Sequence, residues 1–248
     1  MNVQGLERLE LMRHRLDTDG RVRVSELAGE LDVSEMTIRR DLDMLVDEGV
    51  AQRVRGGAVA VGPQEFATRF RQHARAKARI AEKLVEMVGA GGAIGIDASS
   101  TLQRLAARLG SVRDLTVLTN GPDTFRALQE HAGITALLTG GELDTRTGSL
   151  VGPLAARAAR DVMLRRLFVS AAAVDPDLGS SESTLEEADV KIALGGSAAE
   201  IVLAVTASKL AHRAPARAFA LDRVDVLVTE LDPTDARLDP FRKRVKIR

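Results

Sequence analysis

The 248-residue chain contains no cysteine, no tryptophan and no tyrosine, and its formal net charge is zero. Without cysteine neither a disulfide framework nor a thiolate metal site is possible, which fits a reducing interior. The four histidines, His14, His73, His131 and His212, lack the spacing of a zinc site, and no metal or cofactor is expected. The missing Tyr and Trp remove the stacking platforms on which single-strand binders rely. Equal numbers of basic and acidic residues, 35 of each, argue against polyanion binding over the whole surface. Any nucleic-acid contact must therefore be local. No apolar run approaches the roughly 20 residues a bilayer demands, and the N-terminal MNVQGLERLELMRHRL lacks the apolar core of an export signal. A cytoplasmic protein with no membrane segment is expected. A hydrophobic content of 45% supports a packed core, in one large domain or two unequal ones.

The most informative stretch is SEMTIRRDLDMLVDEG, residues 34 to 49. Ser34 is suited to cap a helix, Ile38, Leu42 and Leu45 recur at helical spacing to form one apolar stripe, and Gly49 closes it. Met36, Arg40, Asp43 and Asp47 fall opposite that stripe, with Thr37 and Arg39 on its flanks. The outward face is thus cationic near its start and acidic near its end, so only its N-terminal half suits phosphates.

Two helices are expected before it. Leu6, Leu9, Met12 and Leu16 mark the first, and Val24-Ser25 opens the second with a cap-like start, its apolar side formed by Leu27, Ala28 and Leu31. About two residues, Asp32-Val33, separate the second from the third, which is the spacing of a helix-turn-helix. Val50 to Val59 reads as two brief strands around Gly56-Gly57, a wing, with Arg53 and Arg55 on one strand face. Asp41 reads as structural, holding an arginine or capping a neighbour. Ser34, Met36, Thr37, Arg39, Arg40, Arg53 and Arg55 are the candidate DNA contacts, with Met36, Thr37 and Arg40 suited to base edges and Arg53 and Arg55 to the phosphate backbone.

Residues 61 to 76, with Gly62-Pro63, read as a linker between a winged helix-turn-helix domain at 1 to 60 and a larger α/β domain at 77 to 248. The latter opens with an amphipathic helix at 77 to 88 carrying Ile80, Ala81, Leu84 and Val88. Short apolar runs follow at 93 to 96, 115 to 119, 134 to 139, 167 to 174, 201 to 206 and 226 to 229. Helical stretches at 100 to 109, 123 to 131, 154 to 165 and 185 to 195 alternate with them, which predicts a Rossmann-like, mostly parallel sheet covered on both faces. The terminal RVKIR is either an edge strand or a basic tail.

In open parallel sheets ligands collect beyond the carboxyl ends of the strands. Those positions are polar here: Asp97 with Ser99-Ser100-Thr101, a turn whose free N–H groups suit a phosphate; Thr119-Asn120; Gly140-Gly141, where the backbone could approach a ligand; Ser149 and Gly152; Asp175; Glu187 with Lys191; and Ser208-Lys209. Glu187 and Lys191 read equally well as an i,i+4 surface pair.

These residues resemble the DeoR family of bacterial transcriptional regulators over nearly the full length. SEMTIRRDL at 34 to 42 satisfies every position of that family's recognition-helix signature, and RVRGGA at 53 to 58 is close to its wing ending. Arg69 and Lys77, with KARIA at 77 to 81, match its inter-domain helix. The resemblance implies a second domain like that of ribose-5-phosphate isomerase, serving as a sensor of phosphorylated sugars, with the polar residues after the strands as its ligand positions. Three departures stand out. Ser99 replaces a glycine, Ser170-Ala171-Ala172-Ala173 replaces a Gly-Ala-Asp-Gly run, and Thr206 replaces an aspartate, so two carboxylates of the usual pocket are missing and a different or more anionic effector is suggested.

The expected protein is a non-enzymatic repressor of carbohydrate-metabolism genes that binds operator double-stranded DNA as a homo-oligomer and is released by a phosphorylated metabolite. Two other readings remain: a sugar-phosphate isomerase or deaminase with a DNA-binding head, and a sequence-neutral DNA-organising protein.

Overall fold

The structure is a computed structural model that describes residues 3 to 47, 51 to 60 and 66 to 248. It divides into two compact units, Met1–Gln72 and His73–Arg248. Gly49, Val50 and Gly62-Pro63, invoked above as a helix stop, a strand start and a linker signal, lie outside the described residues.

The first unit runs α1 (Val3–Asp19), β1 (Arg21–Arg23), α2 (Val24–Glu30), α3 (Glu35–Asp47), β2 (Ala51–Val54), β3 (Gly57–Ala60) and α4 (Phe66–Arg71). Helical periodicity explains the core, since Leu9, Met12 and Leu16 of α1 meet Leu27 of α2 and Ile38, Leu42 and Leu45 of α3, all buried. Leu6, on the expected stripe of α1, is exposed instead. The cap of α2 also differs from expectation: Arg23 occupies it without a capping bond from its side chain, and Ser25 lies inside the helix. The antiparallel sheet has the order β1-β3-β2, and β1 is a strand the sequence pattern does not announce. Gly57 makes room for it, because a Cβ there would lie 2.0 Å from the Val22 carbonyl oxygen. The β2–β3 turn is Arg55-Gly56, with Gly56 at φ +82. Arg55 therefore leaves the strand, and it does not share a strand face with Arg53.

In the second unit a seven-stranded parallel sheet has the order β15-β14-β12-β9-β4-β5-β6. Its strands are β4 (Ala93–Ile96), β5 (Leu115–Thr119), β6 (Ile134–Leu138), β9 (Arg166–Val169), β12 (Ile201–Ala204), β14 (Val226–Val228) and β15 (Lys246–Ile247). The open alternative at the C-terminus thus resolves as an edge strand. The helices are α5 (Ala74–Val88), α6 (Ser100–Ala106), α7 (Pro122–Gln129), α8 (Gly152–Arg160), α9 (Leu185–Gly196) and α10 (Asp239–Arg242). Two apolar clusters cover the sheet, one joining α5 and α6 to Ile94, Ile96 and Phe168, the other joining α8 and α9 to Leu167, Val169 and Leu203.

The apolar run at 167 to 174 is not one strand. It breaks at Ser170-Ala171-Ala172, after which β10 (Ala173–Asp175) joins β11 (Gly179–Glu182) and β13 (Ala216–Arg217) in a separate small sheet. A further hairpin pairs β7 (Glu142–Asp144) with β8 (Ser149–Val151). The chain thus leaves β4 toward β5 and β6 on one side, and later returns to β9 and β12 on the other. The strand order reverses between β4 and β9, the place where a parallel sheet opens a crevice beyond its strand ends.

Candidate functional site

Ser34 caps α3 as the sequence implies. Its Oγ accepts from the Thr37 N–H at 3.2 Å and lies 2.9 Å from Thr37 Oγ1, so the Thr37 hydroxyl is engaged by the cap. With Ile38, Leu42 and Leu45 sealed inward, Met36 and Arg40 stand exposed on the outer face, Met36 at 71%. Arg39 pairs with Glu35 at 2.9 Å. Asp41 is buried against Arg8, the structural role read from the sequence. Arg53 bridges the wing to the helix: its Nε donates to Asp43 Oδ1 at 2.9 Å and its Nη2 to the Arg39 carbonyl at 3.0 Å. Arg55, at the tip of the wing, is exposed. Among the described residues Arg40 and Arg55 show neither an ion pair nor a side-chain hydrogen bond.

The second cluster forms at the switch point. Asp97, at the end of β4, is fully buried; its Oδ1 accepts from the Ser99 N–H at 2.9 Å and its Oδ2 from the Ser170 N–H at 2.8 Å, tying β4 to β9. Thr184 caps α9 by accepting from the Glu187 N–H at 3.3 Å, which sets Glu187 and Lys191 one turn apart on the same helix face. Both are buried, so the surface-pair reading fails. The Lys191 ammonium turns instead to Glu182 Oε1 at 2.8 Å, Asp97 Oδ2 at 3.2 Å and the Ser170 carbonyl at 2.9 Å. Burial opposes its charge, but Glu182, Asp97 and Glu187 outweigh that and hold its pKa above the usual lysine value. Burial pushes Glu182 up to about 7; Lys191 pulls it down, and Glu187 and Asp97 push it further up.

Other expected site residues join this network. Ser99 caps α6 by accepting from the Leu102 N–H, and Ser100 and Thr101 are buried in its first turn. Asn120 accepts from the Ala98 N–H at 3.0 Å and donates to the Leu150 carbonyl at 3.2 Å, while Thr119 accepts from the Gly121 N–H. Ser149 reaches Glu187 at 3.5 Å and Thr147 at 2.8 Å. Lys209 donates to the Ala171 carbonyl, and Ser208, exposed, meets Thr206 at 2.9 Å. Asp175 accepts from Arg213 at 2.6 Å and from the Asp177 and Leu178 N–H groups, which hold its carboxyl down to about 2. Gly140 and Gly152 have positive φ and open space where a Cβ would stand. Gly141 differs, because a Cβ there would lie 2.5 Å from the Val151 carbonyl oxygen, so its missing side chain serves packing.

The principal residue missed from the sequence is Glu182. It belongs to GSSE, four polar or small residues that are all buried in β11, so neither hydrophobic period nor length marks the strand. The carboxylates absent at Ala172 and Thr206 have counterparts from elsewhere. Glu182 faces Lys191, and Glu230 accepts from the Ala207 N–H at 3.0 Å.

Residues 8–64 match the model of the DeoR-like helix-turn-helix domain, and residues 72–231 match that of the DeoR C terminal sensor domain. The chain belongs to the DeoR family of transcriptional regulators. It is 31% identical over 228 residues to the HTH-type transcriptional regulator GolR of Listeria innocua, covering 90% of each chain. It is also 30% identical over 247 residues to the lactose phosphotransferase system repressor of Lactococcus lactis, covering 97% of this chain and 96% of that one. A D-ribose-5-phosphate isomerase in complex with phospho-erythronic acid matches at a TM-score of 0.41 and 17% identity, over 54% of this chain and 52% of its own. As a DeoR-family chain it thus carries a DNA-binding head and a sensor domain, with α3 in the first and the Asp97–Lys191 cluster in the second.

Proposed function

We propose that this DeoR-family regulator is a repressor of carbohydrate-metabolism genes that leaves its operator when a small phosphorylated metabolite occupies the crevice between β4 and β9. The observation that carries the reading is the outer face of α3, where Met36 and Arg40 stand exposed while Arg39 and Arg53 are tied back to the protein. In this reading Met36 and Arg40 meet base edges, Arg55 meets a backbone phosphate, and Ser34, Thr37, Arg39 and Arg53 fix the helix and wing that present them. Release follows from linkage: the metabolite must bind the conformation unsuited to the operator more tightly than the other. A cytoplasmic homo-oligomer on a two-fold operator would gain affinity from both half-sites. Among the described residues no helix is long and apolar enough to cross a membrane.

Footprinting of the full chain on its own upstream DNA, with and without phosphorylated sugars, tests this. Protection of a discrete site that phosphorylated sugars lift is expected. Equal affinity for unrelated duplexes at fixed salt would make the protein a DNA organiser instead.

One feature favours the enzyme reading: burial beside Lys191, at 2.8 Å, lifts the Glu182 carboxyl to about 7, in the range that general acid–base chemistry uses. Sugar-phosphate turnover that disappears in Glu187→Ala or Glu182→Gln would replace the pure sensor with an isomerase-like activity.

A further inference from the structure

Three oxygen atoms lie within 3.2 Å of Lys191 Nζ, and an ammonium has three protons. No donor is left on it for a ligand anion. What the interior offers is acceptors. Among the described residues the Glu182 carboxylate is paired with Lys191 alone, through Oε1 at 2.8 Å, and Ser170 Oγ has no hydrogen-bond partner. Both are buried, and Ser170 belongs to the same knot, because its N–H donates to Asp97 and its carbonyl accepts from Lys191. Three carboxylates, of Asp97, Glu182 and Glu187, face a single buried ammonium. Burying uncompensated negative charge is costly, and so is burying a hydroxyl with no partner.

We propose that Glu182, with Ser170 beside it, is the specificity-determining acceptor of the crevice, and that the effector buries here an end carrying hydrogen-bond donors, sugar hydroxyls or a primary amine, and not its anionic group. The proposal rests on the sensor reading above and deepens it. It reverses the expectation that the missing carboxylates favour a more anionic effector. The two donor types separate by protons, since burial, reinforced by Glu187 and Asp97 and opposed by Lys191, raises the Glu182 carboxyl to about 7. A ligand ammonium drives its proton off, and a hydroxyl does not.

The test uses the full chain, titrated calorimetrically at pH 7 in two buffers of different ionisation enthalpy. The probes are glucose 6-phosphate, glucosamine 6-phosphate, phosphoenolpyruvate and inorganic phosphate, and the proteins are wild type, Glu182→Gln and Ser170→Ala. A sugar phosphate is expected to bind where the two donor-poor anions do not. Glu182→Gln should weaken it about tenfold for a hydroxyl ligand and about a hundredfold for an amine, with proton release by wild type only for the amine. Ser170→Ala should weaken binding severalfold while the melting temperature of the unliganded protein does not fall, because that hydroxyl has no partner to lose. Sugar binding unaltered by Glu182→Gln overturns the inference and leaves the sensor reading intact, as does preferential binding of phosphoenolpyruvate or phosphate. Absence of binding by every probe overturns the sensor reading for this ligand class, and the inference with it.

Discussion

The two units of this chain handle charge in opposite ways. On α3 the cations are exposed, and each either rests on a neighbouring carboxylate or stands free in solvent, where ionised groups cost little. At the β4–β9 switch point the charges are buried, and the single ammonium of Lys191 serves several carboxylates that otherwise rest on backbone and serine groups. The exposed face of α3 can lose an arginine without loss of fold. A buried cluster cannot lose its lysine without strain on everything around it.

The largest test of that contrast is Lys191→Met. It leaves Asp97, Glu182 and Glu187 without a cation, and the full chain should lose about 3 to 5 kcal/mol in urea unfolding. Arg40→Ala should keep stability within about 0.5 kcal/mol and yet lose about 1 to 3 kcal/mol of operator discrimination in competition gel shifts. Equal stability losses in the two variants would erase the distinction between the regions.

Smaller effects sharpen it. The unfolded Glu182 carboxyl gives up its proton near the ordinary 4.5, whereas the folded one keeps it to about 7. Between those values the native state binds more protons, so Glu182 makes stability fall as pH rises through that window. Urea midpoints at pH 5 and 8 should show this fall in wild type and a flatter profile in Glu182→Gln. Smallest of all, Glu35→Ala should change stability by about 0.3 to 0.5 kcal/mol or less, because its partner Arg39 is exposed on the same helix.

The same contrast governs what the sequence discloses. Helix α3 is legible because a half-buried helix writes its environment into a 3.6-residue period: Ile38, Leu42 and Leu45 point in while Met36 and Arg40 point out. The parallel strands are legible as apolar runs because both faces are covered. The small sheet around the crevice leaves no such mark. Its strands are two to four residues long, and in β11 the buried residues are glycine, two serines and a glutamate. Polar residues buried because they accept from nearby backbone or face a charged partner, as Ser180, Ser181 and Glu182 do, have the composition of a loop. For that reason Glu182 is hidden; the run at 167 to 174 reads as one strand because its apolar character carries on past Ser170, and β1, three residues long, is too short to show a period. The strand-end rule and the family resemblance both point to Asp97, Asn120, Ser149, Glu187 and Lys191, which the fold gathers near the switch point. Neither could supply an acid brought in from a different strand.

Arg53 carries one further consequence. Because its guanidinium already spans Asp43 and the Arg39 carbonyl, the wing and α3 are pinned together, and their spacing is set within the free protein. An arginine so occupied also holds fewer solution anions and displaces fewer cations from a phosphate. The salt sensitivity of operator binding should therefore count Arg40 and Arg55, and a second copy of each in a dimer, rather than every basic residue of the head. A protein of zero net charge would then hold its operator over a wider range of ionic strength than its arginine content suggests.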